Sequence, residues 1–149
     1  MNVQKDYEEL LRLFNANSVR YCLVGAYALA FHVRPRYTKD IDLFVEATVE
    51  NGKNIINSLE QFGFSDMDLS EKDFAKEGQI IQLGYEPVRI DILTSIDGVM
   101  FEDVWKNKIE GKYGSEKVYY ISRNDLIKNK EASKRKQDEA DLQLLREPE

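Results

Sequence analysis

Apolar positions along the chain change period several times, and each change predicts an element. Within residues 6–17, Tyr7, Leu10, Leu11 and Phe14 recur at three- and four-residue spacing with Glu8, Glu9 and Arg12 between them, the pattern of an amphipathic helix. Tyr21-Cys22-Leu23-Val24 is a short apolar run closed by Gly25, which reads as a buried strand. Residues 26–33 carry Ala, Leu and Phe without a breaker until Pro35, so a helix is expected straight after that glycine. In residues 40–46 acids and aliphatics alternate at the start, the period of a strand with one polar and one buried face. A second amphipathic helix is expected from Thr48 or Val49 to Phe62, carrying Ile55, Ile56 and Leu59 and stopped by Gly63. Residues 65–76 are polar and irregular, the expected mobile loop. Residues 79–84 and 88–93 read as a hairpin around Tyr85-Glu86-Pro87. A short helix at 101–109, a strand at 117–121 and a helical tail at 124–145, broken near Lys134 to Gln137, complete the chain. Ser122 with Asp125 three residues later marks the start of that tail.

The resulting order, α, β, α, β, α, β, β, α, β, α, α, predicts an α/β fold in which a mixed sheet is flanked by helices. The expected organisation is one domain over residues 1–149, with sheet and helices in 1–121 and a helical tail in 122–149. Composition changes this picture in few respects. With 149 residues, 42% hydrophobic and 32% charged, the chain can bury a core without a metal or a disulfide, so any metal would be functional. Lys plus Arg number 21 against 27 Asp plus Glu, a net charge of −6, which disfavours a general polyanion binder but leaves room for a local basic patch. The single cysteine, Cys22, rules out an internal disulfide framework, fits a reducing cytoplasm and reads as core packing. No apolar run approaches the roughly 20 residues of a membrane span, so a cytoplasmic protein with no membrane partner is expected.

Chemistry concentrates in Gly25-Ala26, Asp40-Ile41-Asp42 and Asp91. Residues two apart on a strand share a face, so Asp40 and Asp42 stand side by side while Ile41 and Leu43 turn inward. Like charges so close raise a pKa unless a cation intervenes. Alone, the pair reads as a solvated strand end. Asp91, set between Ile90 and Ile92, adds a third carboxylate if the two strands are neighbours. Hard oxygen ligands without a Cys or His cluster favour Mg²⁺ or Mn²⁺, and such a site can hold two ions roughly 3.5 to 4 Å apart for in-line phosphoryl transfer. Gly25 ends a strand and opens a helix, whose free N–H groups can hold a phosphate.

These residues resemble a known family. Leu23-Val24-Gly25-Ala26, Arg36-x-Thr38-x-Asp40-Ile41-Asp42 and the later Asp91 look like the polymerase-β-type nucleotidyltransferase superfamily, specifically its minimal members. The run from Gly25 to His32 is similar to prokaryotic stand-alone forms found in toxin–antitoxin or abortive-infection settings. The resemblance implies a nucleoside triphosphate donor and two divalent ions on Asp40, Asp42 and Asp91. An acceptor hydroxyl on protein, RNA or a small molecule attacks the α-phosphate, and pyrophosphate leaves. Asp91 would double as base, Gly25 and Ala26 would hold phosphate, and Arg36 and Lys130 would add phosphate contacts while Thr38 braces the acidic strand. The chain departs from the pattern at Ala26, where Gly or Ser is usual, so one side-chain contact to the triphosphate is missing. That departure supports an alternative, a weak or inactive nucleotide-binding partner in a toxin–antitoxin-type complex.

Other residues carry weaker signals. The cluster Lys128, Lys130, Lys134, Arg135 and Lys136 reads either as a solvated helix face or as a basic arm. In the second reading Lys130 grips the triphosphate and Arg135 an anionic acceptor. His32 is expected to be satisfied by a neighbour. Trp105, Tyr119 and Tyr120 are expected at the core or its edge.

Overall fold

The computed structural model describes residues 4–34, 38, 40–65, 68–85 and 88–147. The amphipathic stripe of the first segment forms helix α1 (Lys5–Ala16), which buries Tyr7, Leu10, Leu11, Leu13 and Phe14. Strand β1 (Tyr21–Val24) is buried throughout and runs directly into α2 (Gly25–His32). After β2 (Asp40–Val45), α3 (Val49–Phe62) starts where Thr48 Oγ1 accepts a bond from the Asn51 N–H and stops at Gly63, whose φ of 119° few other residues adopt. The chain continues through β3 (Ile80–Tyr85), β4 (Val88–Leu93), α4 (Phe101–Asn107), β5 (Ile109–Tyr113), β6 (Glu116–Tyr120), α5 (Arg123–Ser133) and α6 (Lys136–Arg146). The tail breaks where expected, with Lys134 at φ 56° between α5 and α6. Among the described residues no helix is long and apolar enough to cross a membrane.

The strands form one mixed six-stranded sheet in the order β3-β4-β2-β1-β6-β5. β2 runs antiparallel to β1 and parallel to β4, while β1 runs parallel to β6. Ile41, Leu43, Ile90 and Ile92 are fully buried together with the inner faces of α1 and α3. Alternation then sends Asp40, Asp42 and Phe44 to the opposite face of the sheet, with Arg89, Asp91 and Leu93 beside them.

Two expectations need correction. The fourth helix ends at Asn107, and residues 109–113 form an edge strand, β5, that periodicity did not suggest. Gly111 in its middle looks like a breaker. It is needed there because a Cβ would press on the rings of Phe31 and Tyr120, themselves stacked 4.1 Å apart at 5°. The polar segment expected to be a mobile loop is held down: Phe74 is fully buried, and the Glu71 carbonyl lies so close to Gly52 of α3 that no Cβ would fit between them.

Candidate active site

The parallel register of β2 and β4 places Asp42 directly opposite Asp91 and Asp40 opposite Arg89. Val24, the last residue of β1, faces Asp42 from the other side. The three acids are therefore brought onto one patch of one sheet face, at the turn from β1 into α2. Gly25 takes φ 65°, and a Cβ there would land on Asp42 Oδ2. What approaches this glycine closely is thus the carboxylate of the neighbouring strand, a second reason for glycine beyond access to the N–H groups of α2. Ala26, next in α2, is half-buried.

Burial and like-charge crowding act on Asp42 in the same direction. Asp42 is pushed up to about 7, first by burial, then by the charge of Asp91 and the hydrogen bond with it, then by Asp40, with Arg89 partly opposing. Arg89 is the charged neighbour of the acids that the sequence reading did not single out. Its Nε and one terminal nitrogen donate to the two oxygens of Asp91 at 3.3 and 3.4 Å, and its Nε lies 3.9 Å from Asp40. Period two, Arg89-x-Asp91, was the available signal. The strand is fixed at this point by Tyr7 of α1, whose hydroxyl donates to the Arg89 carbonyl at 2.8 Å and accepts from its N–H at 3.1 Å.

A cleft of about 430 Å³ opens over this patch, lined by Gly25, Asp42, Asp91, Gln82, Ser133 and Arg135 among others. Gln82 sits opposite Asp91 across β3 and β4. On the α5 side, Asn129 Nδ2 donates to the Asp97 carbonyl at 2.9 Å, tying the helix to the segment that follows β4.

The basic tail divides. Lys130 does not line this cleft, which corrects its expected place beside the triphosphate. Its side chain is 8% exposed and its Nζ is held by Asp138 at 3.2 Å and Asp141 at 3.1 Å, because a lysine buried between α5 and α6 needs counter-ions. Burial alone would raise the Asp138 carboxyl, but Ser133, Arg135 and Lys130 outweigh it and hold it down at about 2. Arg135, 74% exposed, is the tail cation that reaches the cleft. Thr38 lies half-buried just ahead of β2, and Arg36 falls outside the described residues. His32 is satisfied as expected, with Nε2 2.6 Å from the Ile121 carbonyl oxygen.

The oxygens gathered here are those a divalent ion would need. Among the described residues Asp40 Oδ1 is buried without a hydrogen-bond partner, and Asp42 and Asp91 offer adjacent hard oxygens. Among the described residues no group of three or more Asp, Glu, His or Cys is arranged to hold an ion by itself. Arg89 stands among the acids instead. That arrangement suits Mg²⁺, which is commonly bound by one or two carboxylates completed by substrate phosphates and water rather than by an all-protein cage. The residues fit such an ion once a nucleotide supplies the remaining oxygens.

The mixed sheet thus sets paired strand carboxylates beside a strand–glycine–helix turn, the arrangement expected from the sequence. The chain belongs to the family described as "Nucleotidyl transferase of unknown function (DUF2204)", whose model matches residues 3–148. The protein is accordingly a nucleotidyltransferase. Among solved structures it is similar to the crystal structure of the lincosamide antibiotic adenylyltransferase LnuA, lincomycin-bound, with a TM-score of 0.60 and 20% sequence identity over 97% of this chain and 98% of that one. At that identity the likeness shows the fold. A comparison with curated proteins finds no match.

Proposed function

We propose that this nucleotidyltransferase moves a nucleoside monophosphate from a nucleoside triphosphate to the hydroxyl of an acceptor in a reaction that depends on Mg²⁺ or Mn²⁺. The observation that carries this reading is the register of Asp42 opposite Asp91 with Gly25 packed against Asp42. When bound, divalent ions on Asp40, Asp42 and Asp91 would neutralise the carboxylates and the charge gathering on the α-phosphate. N–H groups of Gly25 and Ala26 hold a donor phosphate at the start of α2. Gln82 beside Asp91 and Arg135 from the tail also line the cleft, and Arg36 and Thr38 would complete the binding set. The acceptor oxygen bonds to the α-phosphorus as the bridge to the β-phosphate breaks, and pyrophosphate leaves. The hydroxyl proton passes to Asp91 after Arg89 releases its oxygens.

Likeness to an adenylyltransferase makes ATP the first donor to test, with a hydroxylated small molecule as first acceptor. The test is Mg²⁺-dependent pyrophosphate release from each of four triphosphates, in wild type, Asp42→Asn and Asp91→Asn. Release that survives both substitutions would sink the assignment. A second reading is favoured by the grip of Arg89 on Asp91: nucleotide binding without transfer, in a partner of a toxin–antitoxin-type complex. Saturable Mg²⁺–nucleotide binding with no pyrophosphate from any donor and acceptor would select it.

A further inference from the structure

A second cavity, of about 510 Å³, lies further along the same sheet face, and the two cavities share Ser95 and Ile96 as a common wall. That wall is braced, because Ser95 Oγ accepts a 3.0 Å bond from the Gly78 N–H. In β2 the polar side of the strand passes from Asp42 to Phe44, and in β4 from Asp91 to Leu93, so the groove continues the row that carries the acids. Its base is aromatic. Phe44 meets Phe101 edge-on at 5.1 Å, and Phe101 stacks on Trp105 at 5.9 Å and 19°.

Its rim is acidic. Among the described residues that line the groove, Glu46, Glu77, Glu102 and Asp103 stand against one cation, Arg20, which is already paired with Glu46 at 3.2 Å. Among the described residues Glu77, Glu102 and Asp103 have no ion-pair partner. Such a rim repels phosphates, so the groove is unsuited to the donor's triphosphate and to an RNA acceptor. The aromatic wall already accepts positive charge, with Arg20 5.6 Å and Lys108 Nζ 3.9 Å from the Trp105 ring centroid. Its volume falls in the range of small-molecule sites, roughly 300 to 1,000 Å³.

We infer that this groove is the acceptor subsite and that it takes a small organic cation with an apolar body and a hydroxyl, the ammonium set among the rim acids and the apolar part against Phe101 and Trp105. The inference rests on the nucleotidyl-transfer reading for its acceptor role, since the shared wall is what brings a hydroxyl in the groove toward Asp42 and Asp91.

Trp105 is the sole tryptophan, so its fluorescence, excited at 295 nm, reports the groove directly. The 149-residue chain is titrated with trans-4-aminocyclohexanol, 1,4-cyclohexanediol and 4-hydroxycyclohexanecarboxylate, matched probes that are cationic, neutral and anionic. The cation should bind about tenfold more tightly than the neutral probe and the anion more weakly than either. Glu102→Gln with Asp103→Asn should erase that preference while circular dichroism shows the fold intact. Equal binding of the three probes, or a preference that survives the double substitution, overturns the inference. A parallel titration with Mg²⁺ and a non-hydrolysable ATP analogue separates the two readings. Nucleotide binding without cation preference overturns the groove assignment alone. Cation preference without nucleotide binding overturns the transfer reading, and the acceptor role with it.

Discussion

Asp42→Asn should make the metal-free protein more stable while abolishing transfer. In the folded chain the Asp42 carboxyl is pushed from an ordinary 3.8 to about 7. The folded state therefore binds this proton more tightly than the unfolded state, and stability falls as pH rises through the window from about 4 to about 7. At about 1.36 kcal/mol per pH unit, ionising this group in place costs about 4 kcal/mol above pH 7. Asn has nearly the shape of the protonated acid and cannot ionise, so the variant escapes that cost. For a chain of this size 1 kcal/mol moves Tm by roughly 2–4 °C, which gives a gain of up to about 8–16 °C at pH 8 and almost none at pH 4. Thermal melts of both proteins in chelator at the two pH values measure it. Mg²⁺ should then narrow the gap at pH 8 by stabilising wild type more than the variant. A variant that is less stable at pH 8, or a gap of the same size at both pH values, would refute the crowding argument.

Lys130→Met leaves Asp138 and Asp141 buried without their shared cation and should lose about 3–5 kcal/mol in denaturant titrations; a loss below about 1 kcal/mol would show that the pairs contribute little. Arg135→Ala, at an exposed position, should change stability by under about 1 kcal/mol but weaken Mg²⁺–nucleotide binding several-fold by calorimetry. Unchanged affinity would take Arg135 out of the nucleotide site. Gly25→Ala sets a Cβ against Asp42 at positive φ and should destabilise the chain by about 1–3 kcal/mol, with nucleotide affinity reduced in the folded fraction; a neutral substitution would mean that the strand and turn can separate freely.

Much of this site was legible because its signals are local. Asp40-x-Asp42 on a period-two strand, Gly25 between a strand and a helix, and the turn between α5 and α6 each follow from a few adjacent residues. What could not be read depended on contacts between distant segments. Arg89 has the same spacing to Asp91 as Asp40 has to Asp42, but only the register with β2 shows that it is drawn to both carboxylates. Lys130 and Arg135 are equivalent as charges in sequence, and the packing of α6 on α5 decides which one is buried. β5 escaped notice because its central glycine answers to Phe31, far away in the chain, and to Tyr120 on the paired strand β6. Phe74 looked like an isolated aromatic in a polar stretch, and nothing nearby announced that it closes the core.

The pairing of Asp42 with Asp91 is set by strand register, whereas the chain between those strands runs through α3, the turns after it and β3. Insertions or deletions in those turns leave the carboxylates facing each other, but a single residue added within β2 or β4 rotates one of them to the far side of the sheet. Relatives should therefore differ in length between α3 and β3 far more readily than inside either strand. The stretch between α3 and β3 includes Glu77 on the rim of the second cavity. A change of length there would leave Asp42 and Asp91 in register while altering that rim.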